Sequence, residues 1–441
     1  MSPTPTYGTA RVAPPGADHH AQRRAVVVHG GARDNYQVAL ALAEAHRLEA
    51  LVTDLFWPAD RPWARALDRV LPAGVQALLR QRSAPGLPSA LVRNTPGAGF
   101  KTLMLDRIRN LSFDVRRSAV RSADAALGRA AGRLAARSGA ALLAYSYFAY
   151  DAFHTDPRPG ILFQVHPHPL TIRRILTEEL QAHPDCAGSL RQEWELALPE
   201  DDFQHLVEEP RLAARFLCAS SFTRQSLIEN GANPQAIRVV PYGVDCDRFH
   251  PDPSHRSNPD GKLHLLFVGR INQRKGIKYL LEALRLVRTE QVHLTICGRV
   301  IDGLDLFRPF ASQIDVRPSV SATELVRAYQ SADLFVFPSV AEGFGQVLLE
   351  SLASGLPILS TTHTAAPDLI TSGVEGFVLP PRRPDLLAAQ IDWAATHRAE
   401  LDAMGHQART RALRFTWQRF RSGIVDAVTE FLPELSGAPN V

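Results

Sequence analysis

Two basic residues bracket a short loop in the second half of the chain. Arg270 and Lys275 follow an apolar run at 263–268 that ends at Gly269 and is predicted to be a strand. Ligands of open α/β sheets bind outside the carboxyl ends of the strands, so both side chains are expected to face such a crevice. A guanidinium fork and an ammonium point charge together suit a diphosphate. The alternative is that both residues lie on an ordinary solvated loop.

Two glutamates, Glu342 and Glu350, follow another predicted strand and stand eight positions apart. A helix is predicted to begin near Gln346, and the free N–H groups of its first turn suit a phosphate. Glu350 lies one turn into this helix, where its carboxylate can accept hydrogen bonds from sugar hydroxyls. Gly343 and Gly345 let a ligand approach the backbone. The spacing alone arises easily by chance, but the strand, glycine loop and helix around it make the site a strong prediction.

The elements that must position these residues form a strand–helix alternation in both halves of the chain. In the first half, a strand at 25–29 is broken by Gly30-Gly31 and followed by a helix at 36–47 and a strand at 51–56. Alternation of this kind predicts parallel, doubly wound sheets. Further strands are predicted at 140–145, 160–165, 215–219, 239–243, 263–268, 292–297, 333–337 and 357–360. Further helices are predicted at 104–138, 277–289, 323–330, 346–353, 384–396 and 417–432.

The length of 441 residues exceeds one ordinary core and predicts two α/β domains. The linker between them is marked by three prolines. The expected division is a disordered tail at 1–24, an N-terminal domain at 25–245, a linker at 246–261, a C-terminal domain at 262–415 and a helix within 416–441 that returns to the N-terminal domain.

Several stretches resemble the retaining glycosyltransferase family 4, whose members have the GT-B fold of two Rossmann-like domains facing each other across a cleft. These stretches are VGRINQRKGIKYLLEAL, SADLFVFPSVAEGFGQVLLESLASGLPIL and SGVEGFVLPP, with CASSFTRQSLIENG and VVPYGVDCDRF extending the match. The resemblance covers residues 215–381, whereas 33–143 match only a general Rossmann pattern. It implies retaining transfer of a sugar from a nucleotide-sugar donor to an acceptor hydroxyl, in glycan, glycolipid or exopolysaccharide synthesis.

The resemblance also implies roles for single residues of the C-terminal half. Arg270 and Lys275 would neutralise the donor diphosphate. Glu350 would hold the nucleotide ribose, and Glu342 would bind the transferred sugar near its reacting carbon as a catalytic residue. The backbone amides expected to contact sugar and phosphate are those of Phe344, Gly345, Gln346 and Val347.

The N-terminal half matches the family more loosely. Gly30 and Gly31 resemble the glycine loop that faces the diphosphate from across the cleft, and His166 resembles the histidine that contacts the donor sugar. His168 is the alternative, and a purely structural role for either histidine also remains open. The nucleotide base cannot be assigned, because residues 297–299 and 316–319 depart from the glycine turns that lie near the base in the family.

We expect no metal or other cofactor. Asp245 and Asp247 fit a D-x-D pattern that binds metal in other transferases, but they lie at the exit from the first domain, and Arg270 and Lys275 already offset phosphate charge. The four cysteines are far apart and fit a reducing cytoplasm. The expected partners are a nucleotide-sugar donor and a saccharide, lipid-linked or small-molecule acceptor, and not nucleic acid.

The first 137 residues carry 20 Lys or Arg against 10 Asp or Glu. Segment 106–137 has eight arginines interleaved with apolar residues, so it is a candidate for contact with an anionic inner membrane surface by an otherwise cytoplasmic protein. The alternative is a helix packed on the sheet, with Leu127, Ala130 and Leu134 facing the core. The sequence has no apolar run of membrane-spanning length and no signal-peptide pattern.

Two other kinds of function compete with glycosyl transfer. One is another GT-B enzyme, a phosphorylase or a sugar-nucleotide epimerase, and the first of these is disfavoured because no pyridoxal-type lysine is recognisable. The other is a nucleotide-binding scaffold without catalysis. The presence of Arg270, Lys275, Glu342 and Glu350 together disfavours the scaffold.

Overall fold

The computed structural model of the chain contains two parallel sheets covered by helices. It describes residues 24–95, 97, 113–252, 260–289, 291–433 and 435. Residues 1–23 of the expected tail at 1–24, residues 253–259 of the expected linker and the start of the basic segment at 106–137 lie outside the described residues. Both sheets are built from strands flanked by helices, which confirms the predicted α/β GT-B class.

The N-terminal sheet has seven strands in the order β3-β2-β1-β4-β5-β6-β7. They are β1 (Ala25–Val28), β2 (Leu48–Thr53), β3 (Val92–Asn94), β4 (Ala141–Tyr145), β5 (Ile161–Gln164), β6 (Arg215–Cys218) and β7 (Ile237–Val239). The helices around it are α1 (Gln37–Glu44), α2 (Pro62–Asp68), α3 (Ala73–Arg80), α4 (Phe113–Ser138), α5 (Ala149–Thr155), α6 (Pro169–Ala182), α7 (Ala187–Leu190), α8 (Trp194–Ala197), α9 (Glu200–Leu212) and α10 (Ser221–Glu229).

The C-terminal sheet has six strands in the order β10-β9-β8-β11-β12-β13. They are β8 (Leu263–Val268), β9 (Val292–Cys297), β10 (Ile314–Arg317), β11 (Leu334–Phe337), β12 (Ile358–Thr361) and β13 (Gly376–Leu379). The remaining helices are α11 (Ile277–Leu286), α12 (Ala322–Gln330), α13 (Gln346–Ala353), α14 (Ala366–Leu369), α15 (Pro384–Thr396), α16 (Arg398–Ala412) and α17 (Trp417–Phe431).

The strand order of each sheet reverses next to its first strand, between β1 and β4 and between β8 and β11. Such reversal points open a crevice beyond the carboxyl ends of the strands. The central strands are buried on both faces, which explains their continuous apolar sequences. Most of the residues predicted to bind the ligand follow β1, β8 and β11, and so belong to these two crevices, while His166 follows β5, the neighbour of β4.

The terminal helix α17 packs on the N-terminal domain. Phe420, Ile424 and Val428 are buried in the same apolar cluster as the strands of the first sheet. Arg421 donates hydrogen bonds to Glu44 at 2.9 Å and to Gln37 at 2.8 Å on α1. The chain therefore crosses between the domains a second time before it ends.

The basic helix α4 also packs on the N-terminal domain. Leu127, Ala131 and Ala135 are buried in the core, and a Cβ added at Gly128 would lie 2.6 Å from the carbonyl oxygen of Phe148. The packed alternative proposed for this helix is therefore what the structure shows for its described part. Among the described residues, the helices are either too short or too polar to cross a membrane.

Candidate functional site

The loop after β8 carries both predicted diphosphate-binding cations to the cleft. Asn272 caps a short 3-10 turn by accepting a hydrogen bond from the backbone N–H of Lys275. Gly276 follows with a φ of 73°, and a Cβ there would lie 2.0 Å from the carbonyl oxygen of Pro338. The loops after β8 and β11 therefore pack directly on each other, which places Lys275 beside Glu342.

Lys275 and Glu342 form a largely buried ion pair through Nζ and Oε2. Burial and the neighbouring Arg274 and Arg270 lower the pKa of Lys275 to about 7, although Glu193 acts in the opposite direction. The contact with the Glu342 carboxylate favours the charged ammonium. The structure thus brings together the predicted diphosphate cation and the predicted sugar-binding carboxylate.

Arg270 lies at the same crevice and is more exposed than Lys275. Its side chain is 57% exposed, and Nη2 donates a hydrogen bond to Oε1 of the buried Glu193 at 2.8 Å. More than half of the Arg270 side chain therefore remains exposed. Both predicted cations are therefore at the cleft, and each contacts a carboxylate of the protein itself.

Helix α13 begins at the position the sequence predicted. Gly345 precedes it with a φ of 85°, and the side chain of Gln346 donates to the carbonyl oxygen of Gly243 at 2.7 Å, tying the helix start to the exit from the first domain. Glu350 accepts a hydrogen bond from the hydroxyl of Tyr329 at 3.0 Å. Burial raises the pKa of Glu350. Phe344 is buried and Val347 is partly buried against the C-terminal core.

Gly343 is where the donor loop meets the N-terminal domain. A Cβ at this position would lie 2.1 Å from the carbonyl oxygen of Val165 and 3.0 Å from Cα of His166. The carbonyl oxygen of Gly343 accepts hydrogen bonds from the Ser220 hydroxyl at 2.5 Å and the Thr223 hydroxyl at 3.2 Å. Only glycine fits between these backbones, so the loop carrying Glu342 abuts the end of β5.

A cavity of about 390 Å³ lies away from the cleft between β7 and α17, whereas a cavity of about 270 Å³ opens beside the predicted site in the N-terminal domain. The second one contains Gly30, Gly31 and His166, the three residues predicted from the first half of the chain. Gly31 has a φ of 73°, and its N–H donates to Asp54 at 2.8 Å, which fixes the turn. The rest of the lining is Arg33, Asp54, Arg82, Val120, Ala123, Asp124, Leu127, Tyr147, Phe148 and Trp194.

The two candidate histidines lie in different environments. His166 lines the cavity, its Nδ1 is buried without a hydrogen-bond partner, and burial together with Arg274 and Arg33 lowers its pKa well below the usual value. His168 caps α6 by accepting from the N–H of Leu170 at 3.3 Å and is 3% exposed. The geometry therefore gives His168 a structural role and leaves His166 facing the cleft.

These environments predict different outcomes for the two alanine variants. His168→Ala should lower stability by about 1–2 kcal/mol through the lost cap and packing. His166→Ala should lower kcat/KM about tenfold or more with little change in melting temperature, because the side chain lines the cavity and its Nδ1 makes no hydrogen bond to the fold. Thermal unfolding and initial rates on both variants check this, and the reverse pattern would exchange the two assignments.

Two acidic residues of the N-terminal domain that meet this loop were not predicted from the sequence. Glu193 is 3% exposed and accepts from Arg270, from Asn272 at 2.9 Å and from Arg274 at 2.7 Å. Glu195 approaches Arg274 at 3.6 Å and accepts from the Tyr147 hydroxyl at 3.2 Å. The partners of Glu193 are 77 to 81 positions away, and no local motif marks either glutamate.

His29, Asp34 and Tyr145 form a second polar group that the sequence analysis did not single out. The Tyr145 hydroxyl donates to Asp34 at 2.7 Å, and the rings of His29 and Tyr145 lie 4.8 Å apart. Burial raises the pKa of Asp34 to about 7 and lowers that of His29 to about 4. His29 follows a run of apolar residues, so the sequence indicated only that it is the last residue of a strand.

The D-x-D segment has a local structural role. Asp245 Oδ1 accepts hydrogen bonds from the N–H groups of Asp247 at 3.1 Å and Arg248 at 3.0 Å, which stabilises the turn leaving the first domain. Among the described residues, no group of three or more His, Cys, Asp or Glu side chains is placed to hold a metal ion.

Comparison with known proteins gives the same assignment to the C-terminal half. Residues 252–411 match the family described as glycosyl transferases group 1. A D-inositol 3-phosphate glycosyltransferase of Paenarthrobacter aurescens is 32% identical over 238 residues, which cover 50% of this chain and 57% of the relative. A GDP-mannose-dependent alpha-mannosyltransferase of Mycobacterium tuberculosis is 37% identical over 199 residues, which cover 42% of this chain and 50% of the relative. The matches thus span about half the length of these curated relatives.

Solved structures extend the likeness over both domains. Sucrose-phosphate synthase from Thermosynechococcus elongatus superposes with a TM-score of 0.65 at 16% identity, covering 94% of this chain and 100% of that one. HepE of Anabaena, crystallised with UDP, superposes with a TM-score of 0.59 at 16% identity, covering 92% of this chain and 100% of that one. The predicted resemblance is confirmed for residues 252–411, which match the family of glycosyl transferases group 1, and the solved structures show that the chain has the GT-B fold.

Proposed function

We propose that this protein is a retaining glycosyltransferase that moves a sugar from a nucleotide-sugar donor to an acceptor hydroxyl without a metal ion. The observation that carries the proposal is the meeting of four features at one crevice: Arg270, Lys275, the first turn of α13, and Glu342 against the end of β5. Cations and free N–H groups suit a diphosphate, and adjacent carboxylates suit sugar hydroxyls. The relatives named as inositol-phosphate and mannosyl transferases support a role in glycan synthesis.

In this proposal the barrier is lowered by positioning and by charge. Arg270, Lys275 and the helix N-terminus stabilise the negative charge that develops on the departing diphosphate. The acceptor occupies the cavity of about 270 Å³, which has room for about one sugar ring. His166 is neutral there because its pKa is lowered by burial, so it can hydrogen-bond the transferred sugar without adding charge.

The direct experiment is a screen of UDP- and GDP-sugars with a mass readout for donor consumption and acceptor products, with and without EDTA. The proposal expects consumption of at least one donor that EDTA does not abolish, and products with the anomeric configuration of the donor. An inverted product would refute retention. Loss of activity in EDTA that Mg²⁺ or Mn²⁺ restores would refute metal independence.

We also propose peripheral contact with an anionic membrane, through α2 rather than α4. On α4, Arg121 is buried against the carbonyl oxygen of Tyr147, and Arg117 donates to the carbonyl oxygen of Ala197. Around α2, Trp63 is 57% exposed and Val70 is 76% exposed. Exposed arginines at 61, 65 and 69 flank these apolar side chains. Apolar groups flanked by arginines are typical of surfaces that bind anionic lipid.

Vesicle sedimentation tests this surface. The wild-type protein should bind vesicles containing anionic lipid more strongly than neutral ones at low salt, and Trp63→Ser with Val70→Ser should reduce that binding about tenfold or more. Leu286→Ser is the matched control, because Leu286 is 49% exposed on the other domain. Equal binding by the α2 variant and the control would refute contact through α2.

A further inference from the structure

The predicted diphosphate site already contains an anion that belongs to the other domain. Glu193 of the N-terminal domain reaches across the cleft to the loop after β8. Its Oε1 accepts from Arg270 and Asn272, and its Oε2 accepts from Arg274. Glu193 is therefore held by three donors of the loop that is expected to hold the donor diphosphate.

This carboxylate is ionised. Burial alone would raise the pKa of the Glu193 carboxyl, but Arg274 and Arg270 outweigh burial and hold the pKa below its usual value. A charged-group hydrogen bond at 2.7–2.9 Å is among the stronger kinds. The side chain is thus a fixed negative charge, and not a neutral acid that happens to lie nearby.

Each cation of the loop after β8 therefore contacts a carboxylate before any ligand binds. Its positive side chains are Arg270, Arg274 and Lys275, and the carboxylates that contact them are Glu193, Glu195 and Glu342. A diphosphate that enters this site must compete with these carboxylates for individual hydrogen-bond donors. Arg270 is the exposed member, so its contact with Glu193 is the one that a ligand can displace.

The contact of Glu193 with Arg274 has a structural role. Arg274 is 6% exposed, and its Nε donates to the carbonyl oxygen of Ala341 at 3.0 Å, which fixes the residue before Glu342. Glu195 also faces Arg274, without contacting Arg270. A variant at Glu195 therefore perturbs Arg274 and the Tyr147 hydroxyl, whereas a variant at Glu193 perturbs both arginines.

We propose that Glu193 is a resident competitor of the donor diphosphate for Arg270, and that it limits how tightly the enzyme retains its nucleoside diphosphate product. The inference rests on the proposed function. When the diphosphate binds, Arg270 exchanges the Glu193 carboxylate for a phosphate oxygen. After the sugar has been transferred, the Glu193 carboxylate again accepts the hydrogen bond from Arg270, which speeds release of the nucleoside diphosphate.

Glu193→Gln keeps the shape of the side chain and removes its charge. We expect it to bind UDP or GDP, whichever binds the wild-type protein, about tenfold more tightly by calorimetry, because a neutral amide holds Arg270 less strongly than the carboxylate and so competes less with the diphosphate. The KM for the donor and kcat should both fall, since product release becomes slower. A purely structural role would instead weaken binding. Glu195→Gln is the matched control and should not tighten binding.

A double-mutant cycle with Arg270→Gln localises the effect. If Glu193 acts through Arg270, Glu193→Gln should give no tightening in the Arg270→Gln background. Glu193→Asp provides a second variant should Glu193→Gln fold poorly, because it keeps a charge beside Arg274 and shortens the reach to Arg270. It is also expected to tighten binding.

The outcomes separate this inference from the proposed function. If Arg270→Gln weakens UDP or GDP binding while the folded Glu193 variants leave it unchanged or weaker, the resident-competitor role is wrong and the donor site stands. If the wild-type protein binds neither UDP nor GDP and consumes none of their sugars, both proposals fail.

Discussion

Lys275→Ala should lower kcat/KM at least about 100-fold while the protein remains folded. The side chain is 14% exposed and contacts Glu342 where the departing diphosphate is expected to lie. Removing a preorganised positive group from such a site typically costs about 10²–10³ in rate. Because Lys275 is expected to act on the developing charge, the loss should appear mainly in kcat. Initial rates with the donor identified by the screen measure both constants.

Lys262→Ala is the control for general effects of losing a lysine. Lys262 precedes β8 and so lies at the amino-terminal end of that strand, whereas the cleft lies beyond the carboxyl ends of the strands. It should retain the wild-type rate. Thermal unfolding of both variants separates loss of chemistry from loss of fold, and a folded Lys275→Ala protein with the wild-type rate would remove Lys275 from the site.

The two glutamates should separate donor binding from sugar transfer. Glu350→Gln is expected to weaken UDP or GDP binding about tenfold, because its proposed partner is the ribose and an amide is a poorer acceptor than a carboxylate. Glu342→Gln should not weaken binding of the nucleoside diphosphate, since its loss frees Lys275. It should nevertheless lower kcat about 100-fold or more, because its proposed partner is the transferred sugar.

Calorimetry with the free nucleoside diphosphate and steady-state rates on the same preparations test this division. Glutamine retains the size of each side chain, and at position 350 it can still accept from the Tyr329 hydroxyl. Equal loss of nucleotide affinity in the two variants would refute the separate roles of Glu342 and Glu350.

The C-terminal half of the site could be predicted from the sequence because its signals are local. A buried strand, a glycine turn and a helix start lie within a few residues of one another, and the structure places α13 at Gln346–Ala353 where it was predicted. The strand at 263–268 likewise has the predicted bounds. Short stretches of chain sufficed here, since strand, turn and helix each impose their own pattern of residue types.

Short edge strands were harder to predict. β3 has three residues, and β10 is the partly exposed sequence Ile-Asp-Val-Arg, so neither presents a continuous apolar run. Neither strand was predicted, and β13 and helix α16 were not predicted either. The second strand was placed at 51–56 but spans Leu48–Thr53, because Glu49 interrupts its apolar start.

Contacts between the domains could not be predicted. Glu193 and Glu179 are ordinary acidic residues in sequence, yet each is buried against partners about 80 to 200 positions away. Only the folded chain shows that they face Arg270, Gln273 and Arg382. The choice between His166 and His168 could not be made from the sequence for the same reason. The two histidines differ in burial and hydrogen-bond partners, and not in sequence context.

The central claim is that this cleft binds and activates a nucleotide sugar. Its most direct test is donor consumption by the wild-type protein and by the double variant Arg270→Ala, Lys275→Ala across the panel of UDP- and GDP-sugars. We expect the wild-type protein to consume at least one donor and the folded double variant to consume it at least about 100-fold more slowly. Consumption at the wild-type rate by the folded double variant would contradict the account.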